Sequence, residues 1–218
     1  MLKSLLCSIA LFTIPALADE TARALPVPQH DVPSTGELQT AVLAGGCFWG
    51  MQGVFQHLKG VHAVTAGYAG GAASTARYDA VEWGDTGHAE SVRVVFDPRE
   101  VSYGRILQVY FSVMDPTTLN HQGPDDGTQY RSEIFAADPA QQRAAQAYIG
   151  QLTAAHVFGA PIVTRLSVSR NFFAAEPWHQ NYLINHPDQA YIVINDLPKI
   201  AKLHQLYPDL YRAQPVVR

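Results

Sequence analysis

The chain has 218 residues, 47% of them hydrophobic, which suits one well-packed core and falls short of the length at which chains divide into several domains. Its 15 Lys and Arg against 19 Asp and Glu give a formal charge of −4, and the basic residues form no cluster. Nucleic acid and anionic membrane surfaces are therefore excluded as the main partner.

Met1-Leu2-Lys3 opens the chain, an apolar run extends from Leu5 to Leu17, and Ala16-Leu17-Ala18 precedes Asp19-Glu20. A basic start, a short apolar stretch and an A-x-A-like end predict a secretory signal peptide over residues 1–18. The run is shorter than the roughly 20 residues of a membrane span, so no membrane anchor is expected. Cleavage after Ala18 removes Cys7 and leaves Cys47 as the sole thiol of the mature chain. No intrachain disulfide can then form, and an unpaired cysteine in an exported protein is a candidate reactive thiol. Export implies the periplasm of a Gram-negative host, or secretion. Residues 19–39 contain Pro26, Pro28, Pro33 and Gly36 without a sustained period and read as an extended arm.

Next comes the stretch around which the chain is organised. Thr40-Ala41-Val42-Leu43-Ala44 reads as a buried strand, and Met51, Val54, Phe55 and Leu58 mark one face of a helix. Gly45-Gly46 turns the chain between them, so Cys47 falls at or near the helix N-terminus. Unpaired N–H groups and the positive end of the helix dipole favour an anion there, which predicts a thiol that ionises more readily than a free one. Phe48 and Trp49 stand beside it, and Trp49 lies off the apolar stripe, as expected of a residue lining a pocket.

A second strand is expected over Gly60–Tyr68 and a loop over Gly70–Ser74. Asp79–Trp83 and Ala89–Phe96 flank Gly84-Asp85-Thr86-Gly87 and predict a hairpin. Val92, Val94 and Phe96 share one face of its second arm, and Glu90 has the same parity. A carboxyl turned toward that face would be desolvated and would keep its proton, whereas one at a frayed strand end would point to solvent. Ser102–Met114 reads as a helix, Thr128–Phe135 as a strand, and Pro139–Ala155 as a helix capped by Asp138. Ile162–Val168 alternates like a strand, Glu176–Leu183 looks helical, and a last helix is expected over Pro198–Leu206. Strands mixed irregularly with helices define an α+β domain, here residues 40–212.

Gly45–Gly50 matches neither a dinucleotide fingerprint nor a phosphate loop. His88-Ala89-Glu90 has half of a zinc-deaminase signature, but the P-C-x-x-C half is missing. The nine histidines form no H-x-x-x-H pair, one thiol cannot make a cysteine-rich zinc site, and no metal or other cofactor is expected. His57, His62, His156 and His204 read as surface or helix-face residues. Two alternatives to a redox enzyme stay open on spacing alone. One is a cysteine hydrolase using His179 with Glu176, or His88 with Glu90, and the other is a binding module with an incidental thiol.

Thr40–Gly50, with Gly45-Gly46-Cys47-Phe48-Trp49-Gly50 at its end, closely resembles the catalytic motif of the methionine sulfoxide reductase A family. The likeness continues through Gly67-Tyr68-Ala69-Gly70-Gly71, Gly84–Glu90, Gly123–Ser132 and His179-Gln180-Asn181-Tyr182-Leu183, in family order. The resemblance implies a two-layer plait with a ferredoxin-like core, a mixed sheet and extra terminal segments. It implies a monomeric, cofactor-free enzyme reducing the S epimer of methionine sulfoxide, free or in oxidised proteins and peptides. Matched by position, Cys47 is the nucleophile, Glu90 the acid that protonates the sulfoxide oxygen, and Tyr78 and Tyr130 the phenols that bind it. Phe48 and Trp49 match the wall around the methyl group, and Asp125 a supporting polar residue. Many relatives carry resolving cysteines near the C-terminus, whereas Asn185–Arg218 holds none. An external thiol, from a thioredoxin-fold protein or a small molecule, is then expected to recycle Cys47. Pro177 and Trp178 also depart from the usual residues before the histidine, which leaves no assigned role for His179.

Overall fold

Strand β1 (Gln39–Gly45) is the structural axis, buried almost throughout and paired antiparallel on both sides. The computed structural model describes residues 25–34, 36–169 and 171–217, so the expected signal peptide with Cys7 and the start of the arm lie outside the described residues. After β1 come α1 (Phe48–Gln56), β2 (Val61–Ala69), the single turn α2 (Tyr78–Val81), β3 (Ala89–Phe96) and α3 (Tyr103–Val113). Two short strands, β4 (His121–Gln122) and β5 (Asp125–Asp126), pair with each other. Then follow β6 (Ser132–Ala136), α4 (Pro139–Ala154), β7 (Arg165–Val168), β8 (Phe172–Ala174), α5 (Tyr182–Asn185) and α6 (Leu197–Leu206).

The main sheet is six-stranded in the order β7-β6-β1-β3-β2-β8, antiparallel except for the parallel β6–β7 pair. This is the mixed α+β architecture that the element order predicts. Period-two alternation sends Ala41, Leu43, Val92, Val94 and Phe96 into one core with Met51, Val54 and Phe55 of α1 and Ile106, Leu107 and Tyr110 of α3. Val42, Ala44, Ala69, Ala89 and Phe135 form a smaller cluster of their own. The predicted Asp138 cap forms, and Ser102 caps α3 as well. Ser102 Oγ accepts from Arg105 N–H, and Asp138 Oδ1 accepts from the N–H groups of Ala140 and Gln141. The arm lies across α3 and α4, with Gln108 donating to Leu25 O and the Tyr148 hydroxyl to Pro26 O.

Five expectations change. Asp79–Trp83 is no hairpin strand, because β1 and β2 already occupy both edges of β3. Tyr78–Val81 closes into a helical turn instead. Thr128–Tyr130 is a 3-10 turn, drawn out of the strand by Gln129 Nε2 donating to Glu82 O, and β6 starts at Ser132. The strand expected over Ile162–Val168 shortens to β7. Glu176–Leu183 is not one helix. Gln180 pairs its side-chain amide with both the N–H and the O of Ala66, and Asn181 at φ +57 breaks the run between a 3-10 turn and α5. Finally, the last helix is entered through a widened π turn, Ile192–Asp196, which relieves the clash that Pro198 would impose on a regular preceding turn. Among the described residues no helix is long and apolar enough to cross a membrane.

Candidate active site

The Gly-Gly turn does what its sequence requires. Gly46 sits at φ +88, where a side chain would also meet Gln122 at 2.7 Å. Cys47 follows as the N-cap of α1, 7% exposed, with the Trp49 backbone N–H directed at its sulfur. The readily ionised thiol expected at a helix start is not found. Burial pushes the Cys47 thiol well above its ordinary value, and the acids Glu90 and Asp196 push it further. The Lys199 ammonium and the Trp49 N–H oppose this and lose, because a desolvated thiolate costs more than one helix end returns.

Glu90 lies where its parity predicts, 4% exposed at the start of β3. Burial pushes its carboxyl up to about 8, with Asp125 and Asp196 adding to the rise. The Phe48 N–H, donated to Glu90 Oε2 at 2.9 Å, pulls the other way. One helix end therefore joins the two groups, with Cys47 as its N-cap residue and the acid on its first free N–H. At neutral pH that acid holds its proton.

Tyr78 and Tyr130 share the neighbourhood. Burial raises both phenols, and the charges of Glu90 and Cys47 act on each. Tyr78 starts α2, and its backbone N–H donates to Glu176 Oε1 at 2.9 Å, while the Tyr68 hydroxyl donates to Glu176 Oε2 at 2.9 Å. Burial works to raise Glu176, but these hydrogen bonds outweigh it and hold the carboxyl below its usual value. Asp125, raised by burial, accepts from the Tyr191 hydroxyl at 2.5 Å.

Phe48 and Trp49 diverge. Phe48 is buried between Tyr68 and His179, with ring centroids 5.8 and 4.9 Å away. Trp49 is half-buried, stacks on Tyr182 at 3.8 Å and 9°, and meets Tyr191 edge-on. Its indole N–H donates to His179 Nδ1 at 3.0 Å. That nitrogen is therefore an acceptor, and burial, opposed by Glu176, holds His179 uncharged with its pKa pushed down to about 4. His179 positions Trp49. His88 is held by the Gly71 N–H and Ala72 O, so neither histidine serves as the base a cysteine hydrolase needs. His57, read as a surface or helix-face residue, is buried at the end of α1 and bonded to Gly53 O.

The sites of all seven predicted residues are thus accounted for. Cys47, Glu90, Tyr78, Tyr130 and Asp125 share one electrostatic neighbourhood, and Phe48 and Trp49 pack its wall. Sequence reasoning weighed Glu176 only as a partner of a His179 base, and it missed Tyr68, Tyr182, Tyr191, Asp196 and Lys199. Only the last pair carries a local signal, an acid and a base three residues apart around Pro198.

A buried thiol beside a protonated carboxylic acid, with phenols and aromatic rings around both, defines a thiol-dependent oxidoreductase. The family model described as peptide methionine sulfoxide reductase matches residues 39–210. The chain is 56% identical to peptide methionine sulfoxide reductase MsrA 2 of Mesorhizobium japonicum, over 82% of this chain and 92% of that one. It is 50% identical to MsrA of Ralstonia nicotianae, over 81% and 94%. Among solved structures, methionine sulfoxide reductase A of Corynebacterium diphtheriae superposes with a TM-score of 0.61 at 31% identity, covering 79% of this chain and 92% of that one. Mxr1 of Saccharomyces cerevisiae in reduced form gives 0.63 at 31%, covering 72% and 91%. The chain belongs to the peptide methionine sulfoxide reductase family.

Proposed function

We propose that the protein reduces the S epimer of methionine sulfoxide, free or within oxidised proteins and peptides, with Cys47 as nucleophile and Glu90 as acid. The observation that carries this reading is the buried, protonated Glu90 carboxyl on the first N–H of the helix that Cys47 caps. A sulfoxide oxygen leaves poorly unless it is protonated while the sulfur is attacked. Glu90 donates that proton, Tyr78 and Tyr130 hydrogen-bond the oxygen, and the thiol proton returns to Glu90 as the Cys47 sulfur bonds to the substrate sulfur. Transfer of the hydroxyl to Cys47 gives a sulfenic acid and methionine, so the two electrons gained by the substrate come from Cys47. Phe48 and Trp49 receive the methyl group, and Asp125 supports the pocket through Tyr191. Fixing methyl, oxygen and main chain together selects one epimer.

Recycling follows from the cysteine count. With residues 1–18 removed as a signal peptide, Cys47 has no partner in the mature chain. A thiol from a thioredoxin-fold protein or a small molecule condenses with the sulfenic acid and releases water, and a second thiol frees Cys47. The protein then acts as a periplasmic or secreted monomer without a prosthetic group, residues 40–212 forming its catalytic domain. Its core reads as a ferredoxin-like plait, supported by the order β6-β1-β3-β2 of the strands that frame α1 and α3. Assay on separated S and R epimers, with Cys47→Ser as control, tests the reading. Turnover of S alone, lost in the variant, is expected, and equal turnover of both epimers overturns it. Mass analysis after one turnover without reductant is expected to find oxidised Cys47 and no internal bridge.

A further inference from the structure

Gly50 sits in the first turn of α1, where its φ needs no glycine and where glycine costs about 1 kcal/mol relative to alanine. Asp196 explains it. A Cβ on Gly50 would lie 2.1 Å from Asp196 Oδ1 and 3.2 Å from Lys199 Nζ. The Asp196 side chain is fully buried, its Oδ1 is 3.2 Å from Lys199 Nζ, and its Oδ2 meets no donor. Lys199 is itself only 13% exposed. A shielded acid–base pair is therefore pressed against the turn that Cys47 caps, and the reduction chemistry above uses neither member.

We propose that Asp196 and Lys199 are a positioning pair that sets the ionisation of Cys47, the carboxylate opposing the thiolate and the ammonium in contact with it offsetting part of that effect. Both charges act on Cys47, in those opposite senses. The other groups that face this neighbourhood are Glu90 of β3, Asp125 of β5 with His121 acting on it, Tyr78, Tyr130, Tyr191 and the uncharged His179. The device suits a thiol without an internal resolving partner. It stays protonated at rest, and Lys199 makes it a better leaving group from a mixed disulfide than it would be beside the carboxylate alone. The recycling role rests on the reductase reading, but the effect on ionisation does not.

The test is the pH dependence of Cys47 alkylation by iodoacetamide, read by peptide mass and without sulfoxide or reductant, so that failure here leaves the reductase reading standing. Lys199→Met is expected to raise the apparent thiol pKa and Asp196→Asn to lower it, each by about one unit, or roughly tenfold in thiolate fraction. The double variant is expected to return toward the parent, and Lys199→Arg to stay near it. Shifts of both single variants in the same direction, or of neither, overturn the proposal, since a merely structural pair would not give opposite signs. Where Asp196→Asn fails to fold, Lys199→Met decides alone, and an unchanged or lowered pKa overturns the proposal.

Discussion

The two halves of the site are built by opposite means. Cys47, Phe48, Trp49 and Glu90 stand on β1, α1 and β3, regular elements whose apolar faces fill the core. Glu176, His179, Tyr182, Tyr191 and Asp196 stand at 3-10 and π turns or on the single turn α5, with Lys199 in the first turn of α6, and they are held by hydrogen bonds, an ion pair and ring contacts. The first half fixes where thiol and acid meet. The second sets the orientation and charge around them, through groups that one substitution can remove without emptying the core. Altering the first half should therefore cost chemistry, and altering the second should cost alignment or tuning.

The largest effect is expected at Glu90. Glu90→Gln removes the proton donor and should lower kcat by roughly 10²–10⁴ with substrate binding largely kept. In the parent, activity should fade as pH rises through about 8, where the carboxyl loses its proton, and that limb should be absent from the variant. Stability gives an independent check. Between the ordinary carboxyl value of 4.5 and about 8, the folded protein holds a proton that the unfolded chain has released, so stability falls as pH rises across that window. Thermal melts of Glu90→Gln should show a flatter pH dependence. A melt profile with the parent's slope would mean that Glu90 is not the buried acid.

Glu176 probes the irregular half. Glu176→Ala leaves the buried Tyr68 hydroxyl and the Tyr78 N–H without their acceptor, which should cost about 1–3 kcal/mol in denaturant unfolding. Tyr78 loses its anchor as well, so kcat should fall, though by less than in Glu90→Gln. A kcat equal to the parent's would show that α2 orients Tyr78 unaided.

The same division governs what the sequence could reveal. The Gly-Gly turn, the parity of Glu90 and the Asp138 cap were readable because each follows from local backbone rules, and the structure keeps them. The hairpin at Asp79–Trp83 and the helix at Glu176–Leu183 failed because distant groups compete for the same backbone. Strand β1 takes one edge of β3, and the Gln180 amide engages Ala66 on β2. Cys47 misled in another way. Its place at a helix start was correct, but the burial that reversed the direction of its pKa is a tertiary quantity. Nothing local gives the three acids Glu90, Asp125 and Asp196 one neighbourhood, since they come from three separate segments.

The smallest effects separate the halves most cleanly, through two helical glycines. Gly150, inside α4, has nothing within 4 Å of a Cβ built on it. Gly150→Ala should therefore gain stability by about 0.5–1 kcal/mol, the ordinary preference of a helix for alanine. Gly50→Ala brings the same intrinsic gain but drives a methyl into Asp196 Oδ1 at 2.1 Å, which forces the buried carboxylate and Lys199 aside. Overpacking of this kind costs roughly 1–3 kcal/mol, so the net change should be a loss. Paired denaturant melts then give opposite signs for one chemical change in two helices. If Gly50→Ala stabilises as Gly150→Ala does, Asp196 is free to withdraw, and the tight contact between the C-terminal segment and the Cys47 turn is not a fixed feature of the site.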